Sequence, residues 1–476
     1  MNCYLGIDVG TTGTKSILFT EYGQVVTAAY KSYALVSENR FYAEQNAEDW
    51  YNALIFTCRE CCKGLSKADN VLALSISAQG GCLLCVDEEY KPLSPAISWL
   101  DKRMLENADY FNDILKNVDI YKISGWQQIY AMTAMQILYL KHFNKELYST
   151  THKFLSAVDY INYKLTGIAA IDPSNAAMTQ LYNIENNNYD RNMLDLLGIS
   201  EERLAKVICS GGFVGMLQKD VADQIGINSD CKVISGGHDQ YCGSLGCGAV
   251  NDNDVMVATG TTWLFLVTTN NLVFTNDKKY LSPGNHIIPK HGIMASITTG
   301  GVCLEWFKEK VVKSEDASFL KTLDKGAKNV PAGANGVCFY PYFGGSYCPD
   351  YRHENRAAFL GMDLSADQNV LGRAIMEGVC FELLRMLETI KLNNFSPARI
   401  LAVGGATKSE LWMEILASVL NCKVLTPAVP DTPCVGAAIL AAGKSEGFVK
   451  YLKVFEPSSD YSQFYSKYCK TFDKIF

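Results

Sequence analysis

The first residues of the chain alternate between apolar runs and short glycine-rich breaks. Leu5–Val9 is a nearly continuous apolar run, which predicts a buried β-strand. Gly10–Lys15 is a tight turn of glycine and threonine, and Ser16–Phe19 predicts the strand that comes back. A third strand is predicted over Val25–Tyr33. The chain therefore opens with three consecutive strands.

A helix and a further strand follow this opening. Residues 47–65 have the spacing of an amphipathic helix, and Asn46 is suited to cap its first turn. Val71–Gln79 alternates apolar and small residues, which predicts a central strand broken by Gly80-Gly81. Three strands, a helix and a strand are typical of a ribonuclease-H-like α/β unit, although such a fold alone defines no function.

The same pattern returns in the second half of the chain. Asp254–Val267 predicts a strand, a turn and a strand, and its Gly260-Thr261-Thr262 turn repeats Gly10-Thr11-Thr12. Ile400–Trp412 then predicts a strand, a glycine turn and a helix. We interpret this as one fold unit that occurs twice, in agreement with 476 residues, which suggest two domains or more.

The first glycine turn has the features of a phosphate site. Its backbone N–H groups and the hydroxyls of Thr11 and Thr12 face one concavity, and Lys15 supplies a nearby cation. Asp8, at the end of the preceding strand, is placed to hold a magnesium-bound water. An ordinary hairpin with a glycine turn is the alternative. No helix follows, so the turn is neither a Walker loop nor a dinucleotide-binding loop.

A second candidate site lies in Lys232–Gly246. Val233–Ser235 predicts a strand, Gly236-Gly237 lets the backbone turn, and a small-residue helix follows. Asp239 then lies between a strand end and a helix N-terminus, a position suited to a general base. The alternative is that Asp239 only caps the helix, and His238 by itself is more typical of a structural residue.

Composition excludes several classes of protein. The chain is 48% hydrophobic and 20% charged, which is enough to bury a large core. A net charge of −7 and a pI near 5.5 argue against a nucleic-acid-binding protein. No apolar run approaches membrane-spanning length and no basic segment precedes an apolar core at the N-terminus, so we expect a cytoplasmic protein.

Seventeen cysteines raise the question of a metal site. Cys58-x-x-Cys61 and Cys82-x-x-Cys85 imitate the paired spacing of a zinc ribbon. The first pair falls in a predicted helix and the second in a predicted strand, where residues three apart point to opposite faces. We therefore interpret the cysteines as reduced, buried, small apolar side chains.

Taken together, the motifs resemble those of the FGGY family of carbohydrate kinases. The first turn, Asp8–Lys15, is similar to the family's first phosphate motif, and Ala258–Thr261 to its second. The remaining matches, in the family's order, are Trp99–Arg103, Arg373–Gly378, and the adenosine motif Gly404–Ser409 with Val435–Ala438. The resemblance covers nearly the whole chain.

This resemblance implies a fold, an activity and ligands. It implies two ribonuclease-H-like domains of the actin and hexokinase ATPase type, residues 1–247 and 248–476, with a central cleft for ATP and sugar. It implies phosphorylation of a sugar or polyol hydroxyl with ATP and Mg²⁺, without nucleic acid or membrane as a partner. A homodimer is suggested by analogy only.

The resemblance also implies a role for individual residues. Asp239 takes the position of the catalytic base and Asp8 that of the magnesium ligand. The residues implied to bind the nucleotide are Gly10, Thr11, Thr12, Lys15, Gly260, Thr261, Gly300, Gly404, Gly405 and Ala406. Those implied to bind the substrate are Gln79, Gly80, Gly81, Trp99, Asp101, Asp239 and Gln240.

The chain departs from the family after Gln79. Xylulose kinases usually carry Met-His there and glycerol kinases Arg-Glu, whereas this chain has Gly80-Gly81, without side chains. The sugar pocket is then either wider or filled by other side chains. Gln240 resembles the glycerol kinase pattern, while the overall spacing is nearer to that of the ketose kinases.

Three hypotheses of function remain at this point. The first is an ATP-dependent kinase for a sugar or polyol, with a ketose such as xylulose favoured. The second is a non-catalytic actin-like sensor of sugar or nucleotide, which the presence of both Asp8 and Asp239 disfavours. The third is a kinase for another hydroxylated metabolite.

Overall fold

The fold was analysed in a computed structural model. It describes the chain except for residues 38, 67, 276–279, 298, 346–351, 353, 391–394 and 476. Across these described parts of the chain, we find no helix with the length and apolar character needed to cross a bilayer.

The strands are numbered in chain order. They are β1 Asn2–Val9, β2 Gly13–Thr20, β3 Val25–Ser32, β4 Glu44–Gln45, β5 Asn70–Ala78, β6 Leu84–Val86, β7 Ala96–Ile97, β8 Lys153–Leu155, β9 Ala170–Ile171, β10 Tyr182–Asn183, β11 Asn188–Tyr189, β12 Lys206–Val207, β13 Phe213–Met216, β14 Lys232–His238, β15 Asp254–Thr259, β16 Trp263–Thr269, β17 Ser282–Asn285, β18 His291–Ile297, β19 Cys338–Tyr340, β20 Ala358–Leu360, β21 Arg399–Val403, β22 Val424–Pro427 and β23 Tyr451–Phe455.

The α-helices are numbered in the same way. They are α1 Ala47–Cys62, α2 Ala108–Leu115, α3 Ile120–Ser124, α4 Thr133–Phe143, α5 Lys145–Thr150, α6 Ala157–Thr166, α7 Pro173–Met178, α8 Arg191–Leu197, α9 Lys219–Ile225, α10 Asp239–Cys247, α11 Val302–Trp306, α12 Phe319–Lys328, α13 Gln368–Ile390, α14 Glu410–Leu420, α15 Thr432–Ala442 and α16 Ser462–Ile475.

The chain folds into two compact units. The first contains Met1–Gly248, Asn270–Gly292 and Asp431–Val449, and the second contains Ala249–Thr269, Ile293–Pro430 and Lys450–Phe476. The boundary expected between residues 247 and 248 lies beside the first crossing of the chain from one unit to the other. It does not anticipate the two later segments that belong to the first unit.

The first unit is built on a six-stranded sheet in the order β13-β14-β5-β1-β2-β3. β1 and β2 pair antiparallel, as do β2 and β3, whereas β1, β5 and β14 run parallel. The buried face of this sheet packs against α1, whose Trp50, Leu54 and Cys58 are fully buried. Because strand β1 is central, its C-terminal end is surrounded by residues from several elements.

The second unit repeats this arrangement. Its sheet contains the order β18-β16-β15-β21-β22-β23, in which β15 and β16 pair antiparallel while β15, β21 and β22 run parallel. The sequence β3-β2-β1-β5-β14 in the first sheet thus corresponds to β18-β16-β15-β21-β22 in the second. The duplication inferred from the two Gly-Thr-Thr turns is therefore also a duplication of topology.

Three local predictions need correction. The first turn is shorter than predicted: the Gly10 N–H donates to the Gly13 carbonyl at 3.0 Å, so pairing resumes early and Lys15 lies in β2 opposite Asp8. The sequence predicts a helix over Phe154–Leu165, but residues 154–155 belong to strand β8 and the helix begins at Ala157. It also predicts a short helix within Val214–Gly226, but Phe213–Met216 is strand β13 and the helix begins only at Lys219.

Helix α15 packs closely against the first sheet and against α10, because glycines at the contacts allow the backbones to approach each other. A Cβ atom on Gly6 of β1 would overlap the carbonyl oxygen of Cys434, and one on Gly436 would overlap that of Cys242. On α10, a Cβ on Gly246 would overlap the carbonyl oxygen of Thr432. The small-residue motif at the end of the chain therefore serves the first unit, through backbone-to-backbone contact.

The cysteines of α1 are buried apolar side chains. Burial raises the pKa of Cys61 to about 11 and that of Cys62 to about 12, so both thiols are protonated at neutral pH. Among the described residues, no group of three or more His, Cys, Asp or Glu side chains has an arrangement that could hold a metal ion.

Candidate active site

The C-terminal end of β1 carries a row of polar residues across the first sheet. Asp8 lies opposite Lys15 of β2 on one side and Ser77 of β5 on the other. The Ser77 hydroxyl donates to Oδ1 of Asp8 at 2.8 Å. Burial, followed by the charge of Asp239, raises the pKa of Asp8 to about 7. Two carboxylates thus influence each other at this strand end.

Lys15 is held by a residue from far along the chain. Its Nζ lies 2.5 Å from Oδ1 of Asp431, which immediately precedes α15, and both side chains are about one-third exposed. The pKa of Lys15 is raised, because the hydrogen bond and charge of Asp431 outweigh the opposing effect of burial. The ammonium group of Lys15 is therefore charged and is held beside the first turn by Asp431.

Asp239 is the first residue of α10 and directly follows the last residue of β14. Its side chain is 31% exposed, but its Oδ1 atom is buried. The exposed part of the carboxylate is therefore on the Oδ2 side. The backbone N–H of the next residue, Gln240, contacts Nδ1 of His238 at 3.4 Å. Asp239 therefore begins a capped helix and has one accessible carboxylate oxygen.

The Gly10–Thr12 turn is connected to the candidate substrate residues by hydrogen bonds. Trp99 Nε1 donates to the Thr11 hydroxyl at 3.1 Å, and Gln45 Nε2 donates to the Thr11 carbonyl at 2.7 Å. Gln79 Nε2 in turn donates to Oε1 of Gln45 at 2.9 Å. The carbonyl of Thr12 accepts the N–H of Tyr33. Gln45 was not predicted, and it links the turn to the end of β5.

Asp101 has a different environment from the one implied for a substrate ligand. It is 1% exposed, and its oxygens accept hydrogen bonds from the Ala43 N–H and from the backbone and guanidinium of Arg103. Arg103 also pairs with Glu44 at 2.5 Å. These contacts fix the loop that carries Trp99, which is 40% exposed.

Gly80 and Gly81 leave space that other side chains fill. A Cβ atom on Gly80 would lie 2.9 Å from Cδ2 of His238 and 2.9 Å from Cγ of Met178. A Cβ on Gly81 would lie 2.5 Å from Sδ of Met132, and its φ of +74° is itself unfavourable for other residues. Of the two alternatives left open by the sequence, the structure shows filling from other elements.

The second unit presents the other Gly-Thr-Thr turn. The Gly300 N–H donates to the Thr261 carbonyl at 2.9 Å, and the Gly301 N–H to the Gly260 carbonyl at 3.0 Å. A Cβ on Gly300 would overlap the indole ring of Trp263. This close approach explains the glycine at position 300 and brings Gly260, Thr261 and Gly300 together.

A cavity of about 740 Å³ opens beside this turn. Gly404 adopts φ +100° directly after β21, and a Cβ there would lie 3.1 Å from the backbone of Thr259, so the chain turns without a side chain. The cavity is lined by residues from both glycine motifs and from α12, among them Gly260, Thr261, Gly301, Leu320, Lys321, Asp324, Gly405, Ala406, Lys408 and Ser409. Its size is that of a typical small-molecule site.

One wall of this cavity is polar and fixed. The Ser409 hydroxyl donates to Oδ1 of Asp324 and accepts the Trp412 N–H at 3.0 Å, which caps helix α14. The indole of Trp412 packs on that of Trp263, with ring centroids 5.0 Å apart, and its Nε1 donates to the Met376 carbonyl. This part of the cavity therefore combines exposed glycine backbone, the packed indole rings of Trp412 and Trp263, and the carboxylate of Asp324. Such a surface is suited to a flat aromatic ring.

Besides Gln45, Asp431 and Asp324 were not found from the sequence. Asp431 follows Pro430 in a stretch whose only visible signal is the small-residue helix after it. Asp324 lies in the amphipathic helix α12, where a carboxylate is ordinarily a solvent-exposed residue. Both become recognisable only through partners in other elements, Lys15 and Ser409.

The chain matches the models of two protein domains. Residues 3–246 match the N-terminal domain of the FGGY family of carbohydrate kinases, and residues 255–444 match its C-terminal domain. The chain belongs to the FGGY family of carbohydrate kinases. As an FGGY kinase it phosphorylates a sugar or polyol hydroxyl and uses ATP as the phosphoryl donor.

Curated relatives of this FGGY kinase extend over almost its full length. It is 30% identical to the xylulose kinase of Bacillus subtilis (strain 168), with 99% of this chain and 96% of the relative covered. It is 28% identical to the gluconokinase of the same organism, with 93% of this chain and 88% of the relative covered.

Solved structures show the same fold. The gluconate kinase of Lactobacillus acidophilus superposes with a TM-score of 0.90 at 23% identity, over 100% of this chain and 98% of that one. The Plasmodium falciparum glycerol kinase with ADP gives a TM-score of 0.90 at 22% identity, over the same shares of the two chains. The two-domain α/β ATPase-like fold predicted from the sequence is confirmed.

Proposed function

We propose that this FGGY kinase transfers the γ-phosphoryl group of ATP to a hydroxyl of a ketose, with xylulose as the first candidate substrate and Asp239 as the base. The position of Asp239 carries the proposal. It begins α10 with one buried and one accessible carboxylate side, in the same unit as Asp8 and the Gly10–Thr12 turn. Xylulose is favoured because the B. subtilis xylulose kinase is 30% identical to the chain.

In this mechanism Asp239 accepts the proton of the attacking hydroxyl through Oδ2. As the new bond between the sugar oxygen and phosphorus forms, the bond between phosphorus and the ADP oxygen breaks, and ADP leaves with the electron pair. Gln79 and Trp99 position the sugar, since both are tied by hydrogen bonds to the Thr11 turn. Positioning and charge stabilisation supply most of the rate enhancement in such transfers.

The residues at the end of β1 fit a magnesium ion. Asp8 and Asp239 are both carboxylates, and burial and the charge of Asp239 raise the pKa of Asp8 to about 7 although Lys15 lies nearby. Carboxylate oxygens are ligands that Mg²⁺ prefers, and the Ser77 hydroxyl orients the carboxylate of Asp8. Bound there with ATP, Mg²⁺ would neutralise phosphate charge, and Asp8 would hold one of its bound waters.

The nucleotide is assigned to the cavity of the second unit. We place the adenine ring against Gly405 and Ala406, near Asp324, and the phosphates at the Gly260-Thr261 turn. Lys321 and Lys408 line the same cavity and balance the charge of its two carboxylates, Asp324 and Glu305. The backbone N–H groups of a glycine turn and nearby cations are suited to a polyphosphate.

The first test is an assay of ADP release with magnesium-ATP on ketoses, aldoses, polyols and sugar acids. We expect turnover on xylulose above all other compounds. Turnover on gluconate alone would replace the ketose by a sugar acid, in line with the gluconokinase relative. Silence on every compound, with ATP still bound, would contradict the proposal and favour a sensor or another hydroxylated metabolite.

Asp239→Asn tests the base directly. The amide cannot accept the hydroxyl proton, so we expect kcat to fall by about a hundredfold or more while ATP still binds. Asp223→Asn is the matched control, because Asp223 is an exposed residue of α9 and is not assigned to the site. Turnover of Asp239→Asn at the wild-type rate would remove Asp239 from its role.

Gly260→Val tests the nucleotide half. A Cβ on Gly260 meets only the Thr262 carbonyl, at 3.6 Å, so the backbone tolerates the change while the side chain enters the space given to the phosphates. We expect the calorimetric Kd for ATP to rise about tenfold or more, because phosphate-binding backbone groups become blocked. The Kd for the sugar stays near its wild-type value. Unchanged ATP affinity would contradict this placement.

A homodimer is proposed by analogy alone, and the mass of the protein in solution tests it.

A further inference from the structure

His238 is a buried residue directly before the proposed base. It ends strand β14, and it is 7% exposed. Its Nδ1 lies 3.3 Å from Oδ1 of Asp239. That oxygen is buried and accepts no hydrogen bond from any residue that the structure describes. A buried carboxylate oxygen without a donor is costly, and the imidazole N–H is the donor at hand.

The imidazole ring is fixed in place by its surroundings. Gly80 does not have a left-handed backbone conformation, so its φ angle does not require glycine. Two neighbouring side chains require it instead, because a Cβ on Gly80 would lie 2.9 Å from Cδ2 of His238 and 2.9 Å from Cγ of Met178. The ring of Tyr241 lies edge-on to the imidazole, with 6.4 Å between ring centroids. The imidazole thus occupies part of the space left by Gly80, beside Met178.

The backbone of His238 is also anchored. Its N–H donates to the hydroxyl oxygen of Ser174 at 2.9 Å, and that hydroxyl donates to Asp172, the buried cap of helix α7. Asp172 also accepts the Ser174 and Asn175 N–H groups. Backbone and ring are both held, so a hydrogen bond from Nδ1 reaches Asp239 from one direction only.

We propose that His238 is a positioning residue for Asp239, and that position 80 is glycine to make room for it. In the tautomer with a proton on Nδ1, His238 donates to Oδ1 of Asp239. Nδ1 then gives up its long 3.4 Å contact as acceptor of the Gln240 N–H, the cap of α10. Oδ2 then points to the sugar hydroxyl and receives its proton, while His238 keeps its own. The inference rests on the proposed role of Asp239 as base.

A set of variants tests this inference through kcat, KM and the pH profile of kcat. His238→Ala removes the donor, so we expect kcat to fall about tenfold, with the KM for ATP unchanged. His238→Asn keeps an N–H near the Nδ1 position and recovers most of kcat. The acid limb of the pH profile shifts in His238→Ala but not in His238→Asn, which a merely structural role would not produce.

Gly80→Ala provides the independent arm. The added methyl group displaces the imidazole, so we expect a loss of kcat similar to that of His238→Ala. In the double variant the displaced ring is gone, and the two losses do not add. Gly64→Ala is the matched control, because a Cβ there meets nothing within 4 Å. Melting temperatures show which variants are folded, and Gly80→Ala with His238→Asn carry the test if His238→Ala is not.

Three results would overturn the inference: a kcat of His238→Ala within about twofold of wild type, an Asn variant no better than the Ala variant, or additive losses in the double variant. The proposed function fails separately. If Asp239→Asn keeps its turnover, the base assignment itself is wrong. If Asp239→Asn is inactive while the His238 and Gly80 variants are fully active, only the positioning role is wrong.

Discussion

Single residues in this kinase carry more than one structural task. The hydroxyl of Thr11 accepts a hydrogen bond from Trp99, and its carbonyl accepts one from Gln45. Gln79 joins this network through its hydrogen bond to Gln45. A threonine at a phosphate turn therefore also connects that turn to the residues proposed to position the sugar. Three hydrogen bonds thus hold these residues in one connected network.

His286 gives a prediction on pH. It is fully buried, its Nε2 lies 3.2 Å from the Ser244 hydroxyl, and burial, then Lys290, lowers its pKa to about 3. As the pH falls, the imidazole of His286 takes up a proton near pH 6.5 in the unfolded chain, but only near pH 3 in the folded chain. The contribution to stability is therefore complete above pH 6.5 and declines as the pH falls toward 3.

We expect His286→Gln to reduce this pH dependence. Between pH 6 and 4.5 the slope of the unfolding free energy is lower in the variant by up to about 1.4 kcal/mol per pH unit. Urea unfolding at several pH values measures it. His152→Gln is a control for the loss of a histidine elsewhere in the chain. Equal slopes in wild type and His286→Gln would contradict the burial argument.

Residues that act through neighbours in sequence were predictable, and those that act through distant partners were not. Asp239 is recognisable because a strand, two glycines and a small-residue helix surround it locally. Asp431 depends on Lys15, more than 400 residues away, so its role has no local signal. Asp101 illustrates the converse, since the family resemblance implies that it binds substrate, whereas folding buries it against Arg103.

At the scale of elements, the contact of α15 with α10 depends on glycine. A Cβ on Gly436 would overlap the Cys242 carbonyl oxygen, and one on Gly246 would overlap that of Thr432. Backbone atoms cannot move aside as a flexible side chain does, so the helices must separate. Such close packing explains why small residues dominate both helices.

Gly436→Ala is therefore expected to destabilise the first unit. Overpacking of this kind costs about 1 to 3 kcal/mol. The melting temperature, followed by circular dichroism, falls by several degrees, whereas Gly64→Ala stays within a degree of wild type because its Cβ meets nothing. A melting temperature of Gly436→Ala equal to that of the control would show that the helices adjust without cost.

Element types were predicted better than element limits. The strands around both glycine turns, the helix α1 and the long helix α13 follow from period and length. The sequence predicts a helix from Phe154 because apolar residues lie on both sides of Ser156, and only the pairing of β8 with β6 distinguishes residues 154–155 from α6. Strand β13 was missed for the same reason, since its partner β14 is not adjacent in sequence.

At the scale of the whole molecule, the units are interleaved along the chain. Helix α15 belongs to the first unit but follows most of the second. A fragment that ends at Gly248 lacks this helix and leaves the backbone around Gly6 without its partner. We expect fragment 1–248 to be aggregated or to bind a dye for exposed apolar surface, and the full chain to do neither.

As a control, the purified full chain is cut by protease. If the two pieces remain associated, α15 stays in place, and we expect the pieces to stay compact. A fragment 1–248 that is monomeric, with cooperative unfolding and no dye binding, would contradict the prediction and show that α15 adds to a unit that is already stable.

The late position of α15 also has a consequence for synthesis in the cell. A ribosome adds about 5 to 20 residues per second, so roughly 20 to 90 s separate the appearance of β1 from that of the helix that covers it. During that interval the nascent first sheet has an uncovered apolar surface. We therefore expect the growing chain to be most prone to aggregation while residues 249–430 are being translated.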